Sequence, residues 1–350
     1  MLGAPDMDFQ RVELAGAGAV SDLQFHPDGQ FVFTAGDGKI RIWRMDPLEL
    51  AGELDAPDCT RLVIHADGMR VAAHDGSTVT AWDLAEPAKL LEARPKRKAQ
   101  PMYHPAMDDL TSEEIDAHTL PASVRVIGFA GEQLVVGTSA DGFELYALAS
   151  GARTPVRTGR LALVLPDGRR ALAHAISTGL EVWDLGAAPI RLRAFQADLY
   201  FPSSESFLPH PDGRRLIVAY KTFRAYDLAS GDGLVESAPL DDSVLDAVCH
   251  PDGEHVLGAS RGGALLVWNL ARNTVTPLAR RDDRRAHALA AHPPTGRLLA
   301  LGDRALDAWT VGGAPLDRVP LDAAHHSLRV SPSGVVALWG DGAPLLMIPA

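Results

Sequence analysis

Histidine recurs at one place in a repeated string, so metal ligation is the first chemistry to consider. His26, His65, His210, His250 and His292 each open a short turn sequence, and His26-Pro27-Asp28-Gly29 returns unchanged as His210 to Gly213 and His250 to Gly253. A zinc ion needs its ligand atoms about 2 Å away, usually with short-range spacing in sequence. Equivalent residues of separate repeats spread too widely for that. Each histidine is therefore expected to cap its own turn through a side-chain to backbone bond. His325 and His326 are neighbours and point to opposite faces if they lie on a strand, so they do not chelate one ion together. His104 and His118, among Asp108, Asp109, Glu113 and Glu114, mark the one place where an adventitious metal could collect. No metal or cofactor is expected.

A second set of chemical candidates sits in other short turns: Asp37, Asp75, Asp141, Asp303 and Asp341, with Arg261 at the equivalent place in the sixth repeat. One reading is an acidic ring that docks a basic segment. The other is turn chemistry, because Asp-Gly suits tight turns wherever they occur. Asp22 and Asp246 lie near the starts of strands and read as solvated carboxylates.

The stretch 94–121 is the most individual part of the chain. It opens on a basic cluster that includes Arg97 and Lys98, passes Tyr103 in a Pro-rich piece, and ends in an acidic segment. Thr111 to Glu114 has the form of a capping box, which predicts a short helix over 112–118. A connection this long is usually functional or disordered, so a partner-binding arm and a solvated insert both remain open.

The elements that must carry these residues are strands. The histidine turn has looser copies at His65 to Gly68, Leu165 to Gly168, His292 to Gly296 and Ser331 to Gly334, and its weakest copy at Gly128 to Gln133. Each copy lies between two short alternating apolar runs, which is the pattern of two strands joined by a tight turn. A third strand then ends in an aromatic: Trp43, Trp82, Tyr146, Trp183, Tyr226, Trp268 and Trp309, with Met347 at that place in the last copy. A weaker fourth run follows, and successive aromatics such as Trp43 and Trp82 stand roughly 40 residues apart, as in a propeller repeat.

On those turns, aromatics and spacings, the chain resembles the WD-repeat family of β-propellers over nearly its whole length. The Gly-His dipeptide of that family is missing, and several repeats lack the Asp after the aromatic. The resemblance implies an all-β fold, one propeller domain over 1–350 built from four-stranded antiparallel blades, with the insert at about 94–121 between the second and third blades. Counting turns gives eight blades, with seven as the alternative. The last repeat stops after three strands, so FQRVEL at residues 9–14 is expected to supply its fourth. The aromatics at the ends of the third strands are expected in the core. Trp339, unusually large for its place, either packs where the last blade is completed or meets a ligand.

The resemblance also implies that the turns between second and third strands share one face with the links between blades, and that partners dock there. It implies a non-catalytic scaffold that binds a protein through that face and the insert. The alternative is a channel-mouth enzyme of the eight-bladed quinone-cofactor dehydrogenase type. No nucleophile elbow, zinc-protease or phosphate-loop motif supports catalysis.

Bulk composition narrows the partners. The chain has 350 residues, 46% of them hydrophobic, and 45 acidic against 33 basic side chains give a formal net charge of −12. That charge repels phosphate backbones and anionic lipid, so nucleic acid and membrane are not expected as partners. Two distant cysteines, Cys59 and Cys249, give no disulfide framework. With no signal-peptide pattern at the start, the reading is cytoplasmic.

Overall fold

Short alternating runs bounded by Pro, Asp and Gly favour strands, and strands are the regular structure that the described residues form. The computed structural model describes residues 9–85, 88–93, 123–139, 142–175, 179–186, 188–195, 207–278, 286–341 and 343–349. The helix expected over 112–118 and the whole stretch 94–121 lie outside them. The strands make eight four-stranded antiparallel sheets, the blades of a β-propeller fold, so the count is eight and not seven.

Contacts divide the chain into two compact units. Residues 38–40 and 53–199 form one of them. It holds blade 2 (Arg61–Ile64, Arg70–His74, Val79–Asp83, Ala88–Ala93), blade 3 (Val124–Ala130, Gln133–Thr138, Phe143–Ala147, Arg153–Val156) and blade 4 (Arg160–Val164, Arg170–Ala175, Gly179–Asp184, Ile190–Phe195). Each blade is a meander whose first strand follows the link from the preceding blade.

The other unit comprises residues 1–37, 41–52 and 200–350. Blade 1 (Asp22–Phe25, Phe31–Gly36, Lys39–Met45, Leu48–Asp55) lies mostly within it. Blade 5 starts at Phe207–Pro209, blade 6 at Val244–Cys249, blade 7 at Ala288–His292 and blade 8 at His325–Val330. Blade 8 has only three strands of its own. Its fourth is Phe9–Glu13, antiparallel to Leu345–Pro349 with Gln10 opposite Ile348 and Val12 opposite Leu346. The strand is anchored where it ends: Leu14 donates its N–H to Pro344 O at 3.0 Å, and its side chain is fully buried. An edge that would otherwise stay open is thus covered from the other end of the chain.

In second strands such as Phe31–Gly36 and Arg297–Leu301 consecutive residues are buried, so both faces of these strands are covered. Trp43, Trp82, Tyr146, Tyr226, Trp268, Trp309 and Met347 are buried as their repeat position demands. Trp183 is only half-buried, its edge against Phe143 and its indole N–H donating to Glu181 at 3.1 Å. Trp339 packs in one cluster with Leu14, Leu23, Trp43 and Leu346, which explains its size. Asp22, expected in solvent, is instead buried: its carboxylate accepts from the Leu23 N–H at 2.9 Å and from Arg329 at 3.4 Å. The first strand of blade 8 supplies that arginine, a neighbour that only the tertiary structure reveals.

Candidate functional site

The described turns within the blades are of two kinds, at opposite ends of the strands. The turns between first and second strands carry the repeated histidines. There the imidazole Nδ1 accepts the backbone N–H two residues on: Asp28 for His26 (3.3 Å), Asp67 for His65 (3.2 Å), Asp212 for His210 (3.2 Å) and Asp252 for His250 (3.2 Å). This is the capping role the sequence implies. The other nitrogen does more. Nε2 of His65 reaches Gly131 O at 3.2 Å, that of His210 reaches Gly253 O at 2.7 Å, and that of His292 reaches Gly334 O at 2.9 Å. Each of these three rings thus bonds within its own turn through one nitrogen and to a carbonyl of the next blade through the other.

At these three positions the histidine therefore clasps two neighbouring blades. Gly334 shows how tight the clasp is: its φ is +91°, and a Cβ there would lie 2.8 Å from His292 Nε2. Among the described residues no three His, Cys, Asp or Glu side chains form a group that could hold a metal ion. Nor, among them, is any helix long and apolar enough to cross a membrane.

The turns between second and third strands carry the aspartates. Asp75 is consumed locally, accepting from Ser77 N (2.7 Å), Ser77 Oγ (2.9 Å) and Thr78 N (2.6 Å). Burial opposes its ionisation, but these N–H and O–H donors hold it below the usual carboxylate range. Asp37 occupies the left-handed region at φ 50°, with its carboxylate against Gly18. The backbone of Arg261 is tied to Ser243 O at 2.8 Å while its side chain is exposed. Asp141 lies outside the described residues, as do Arg97, Lys98 and Tyr103.

Asp303 and Asp341 are drawn into a small array that the sequence reading missed. Asp303 meets His287 Nε2 at 2.5 Å, and Asp341 meets His326 Nε2 at 3.2 Å. The two imidazoles lie edge to face with centroids 5.1 Å apart. As expected of neighbours on a strand, His326 is exposed while His325 is buried. The array is two carboxylate–imidazole pairs in adjacent blades, half open to solvent. His287 gave no signal, because it lies outside the repeated motif and meets Asp303 only once the first and second strands of blade 7 pair.

Buried carboxylates form a third feature. Glu144 is fully buried, accepting from the Tyr146 hydroxyl at 2.5 Å and from Arg153 at 2.5 Å. Glu181 is placed alike in blade 4, with Trp183 and Arg191 at 3.1 and 2.9 Å. In both, an acid two residues before the aromatic shares its face of the strand, and an arginine of the fourth strand completes the pair.

These environments set an acid response in two stages. Burial holds His174, His292 and His325 below the ordinary histidine range, with Arg160 adding to the effect on His174. The unfolded chain binds protons at these positions first, so stability falls as pH drops below about 6.5. Asp252 is held at about 2: burial opposes this, but the Glu254 N–H and the flanking His255 and His250 prevail. Its contribution is intact above about 4 and fades only as pH falls through its folded value. Urea midpoints measured from pH 8 to pH 3 are expected to show both declines. His174→Gln with His325→Gln should flatten the first alone; an unchanged slope between pH 7 and 5 contradicts this assignment.

With the geometry established, comparison with known proteins adds the following. Residues 10–44 match the WD domain, G-beta repeat family. That span starts in the strand that completes blade 8 and ends in the third strand of blade 1, so sequence repeat and blade are offset by one strand. Over 58 residues the chain is 41% identical to the periodic tryptophan protein 2 homolog of Schizosaccharomyces pombe, a match that covers 17% of this chain and only 7% of that protein. Among solved structures, the computationally designed Ika8 protein matches with a TM-score of 0.68 over 96% of this chain and 98% of its own, at 14% identity. That likeness is one of fold. Matched repeat, the short stretch shared with that relative and blade architecture together support a WD-repeat β-propeller.

Proposed function

We propose that the chain is a non-catalytic scaffold that binds a protein partner through the face formed by its second-to-third-strand turns and the links between blades. The residues assigned to that face are Asp37, Asp75, Asp141, Arg261, Asp303 and Asp341, with Arg97, Lys98 and Tyr103 contributed by the insert. One observation carries the reading. The turns are pinned by their own hydrogen bonds, as at Asp75 and at Arg261, yet leave charge exposed, with Asp341 79% accessible. A surface already ordered before association loses little entropy on binding, which suits a platform. The net charge of −12 favours a protein partner over nucleic acid.

The test is a crosslinking pull-down from the native cell with intact protein, with Asp303→Lys plus Asp341→Lys, and with residues 96–117 deleted. At least one variant is expected to capture about tenfold less partner, with an unchanged melting temperature because exposed pairs contribute little stability. The complex should also weaken as salt rises. Equal capture by all three proteins contradicts the proposal.

A further inference from the structure

One histidine of the repeated turns lacks the bond that its counterparts make. Nε2 of His65, His210 and His292 meets a glycine carbonyl of the next blade. Nε2 of His250 is buried, and among the described residues it has no hydrogen-bond partner. His210, His250 and His292 belong to blades 5, 6 and 7 of one unit, so the exception falls between two that follow the rule.

The turn that His250 faces explains the difference. By its place in the repeat His250 should meet Gly296 of blade 7, as His210 meets Gly253 and His292 meets Gly334. Gly253 and Gly334 close short turns, each N–H returning to the carbonyl three residues back, His250 O and Ser331 O, both at 3.0 Å. Blade 7 has one residue more, His292-Pro293-Pro294-Thr295-Gly296, and the Gly296 N–H returns four residues to His292 O at 2.9 Å. Thr295 is used inside the turn, its Oγ1 lying 2.8 Å from His292 Nδ1. The longer turn stands further from the preceding blade. A Cβ on Gly334 would lie 2.8 Å from His292 Nε2 and one on Gly253 would lie 3.4 Å from His210 Nε2, but one on Gly296 would lie 3.7 Å from His250 Nε2.

The rest of the His250 turn is ordinary. Its Nδ1 accepts the Asp252 N–H at 3.2 Å and lies 2.9 Å from the Asp252 carboxylate, the same two distances as at His210 and Asp212. The link end of the junction is tied as well: Leu289 of blade 7 donates its N–H to Asp246 of blade 6 at 3.2 Å, and Leu257, Leu289, Leu298 and Trp309 pack in one cluster. The weakness is therefore confined to the histidine end. A buried ring nitrogen that bonds to nothing has lost its hydration without return. Separation of the turn readmits water to it, so opening recovers at this junction what it costs at the other two.

We infer that the histidine end of the junction between blades 6 and 7 is a built-in point of local opening, where the turn Pro293 to Gly296 parts from blade 6 more readily than its counterparts part from blades 5 and 7. The inference is independent of the scaffold reading, because it concerns the end of the blades opposite the assigned face and is measured on the chain alone.

The experiment is hydrogen–deuterium exchange of the purified full chain, resolved to single amides by fragmentation and corrected for intrinsic rates. Gly253, Gly296 and Gly334 are matched reporters, since each amide is bonded within its own turn. Gly296 is expected to exchange at least about fivefold faster than the other two, the effect of one net hydrogen bond on local opening. His210→Gln should speed Gly253 by about fivefold or more, because it removes a clasp. His250→Gln, in a turn of the same sequence, should change Gly296 by less than about twofold, because there is no clasp to remove. The first comparison uses the parent chain and stands whether or not either variant folds. Exchange at Gly296 as slow as at Gly253 and Gly334 overturns the inference, and so does an equal acceleration of the facing glycine by the two substitutions.

Discussion

Trp268→Ala is expected to lower stability by about 3 to 5 kcal/mol, the range for removing a large aromatic from a core that cannot collapse around the gap. Trp268 is fully buried, stacked on Phe223 of the preceding blade at 5.6 Å, and its indole N–H donates to Asn273 Oδ1 at 3.0 Å. Asn273 in turn donates to Glu236 O at 2.8 Å, so the lost side chain also loosens a bond between blades 5 and 6. Trp183 provides the internal comparison. Because it is half-buried, Trp183→Ala should cost clearly less. Urea unfolding of both variants beside the parent measures this, and equal losses would show that burial at this repeat position does not set the energy.

Arg153→Ala is expected to cost about as much, roughly 3 to 5 kcal/mol, because it leaves a carboxylate buried without its cation. Glu144 has no exposed surface, while Arg153 keeps about a third of its own and lies at the edge of blade 3. Removing the arginine strands the charge on the buried side of the pair. Glu144→Gln removes that charge instead and keeps an acceptor for the Tyr146 hydroxyl, so it should cost less. Burial and then Glu144 hold that phenol well above its usual range, so it stays a donor throughout the accessible pH range. The order of the two losses is the informative result: a greater loss for Glu144→Gln would mean that the hydrogen bonds, not the charge, hold the cluster.

Much of the fold was legible because its signals are local. The turn at His26 to Gly29 needs Pro, Asp and Gly at fixed places, and the aromatic that closes the third strand follows at a nearly constant distance, as from Gly29 to Trp43 and from Gly68 to Trp82. The closing strand was legible for a different reason: the last repeat is one strand short, and Phe9 to Glu13 alternates as a partner should. Charge placement was less legible. A periodicity of two explains why Glu144 and Tyr146 share a face, but not that Arg153 would complete the pair from the neighbouring strand. The same limit hid the second bond of His65, His210 and His292, whose acceptors lie in the next blade. Asp22 was misjudged for want of Arg329, which is distant in sequence. An acid two residues before the aromatic, seen at Glu144, Glu181 and Asp307, was the one available signal for the buried pairs.

Hydrogen–deuterium exchange on the full chain, with and without its captured partner, tests the central claim most directly. Protection is predicted in peptides that contain Gly36 to Gly38, Arg61, Arg125 and Gly302 to Arg304, at the end of the blades where the links enter. Protection confined instead to the histidine turns around Gly29, Gly213 and Gly253 would place the binding surface on the opposite end and contradict the account.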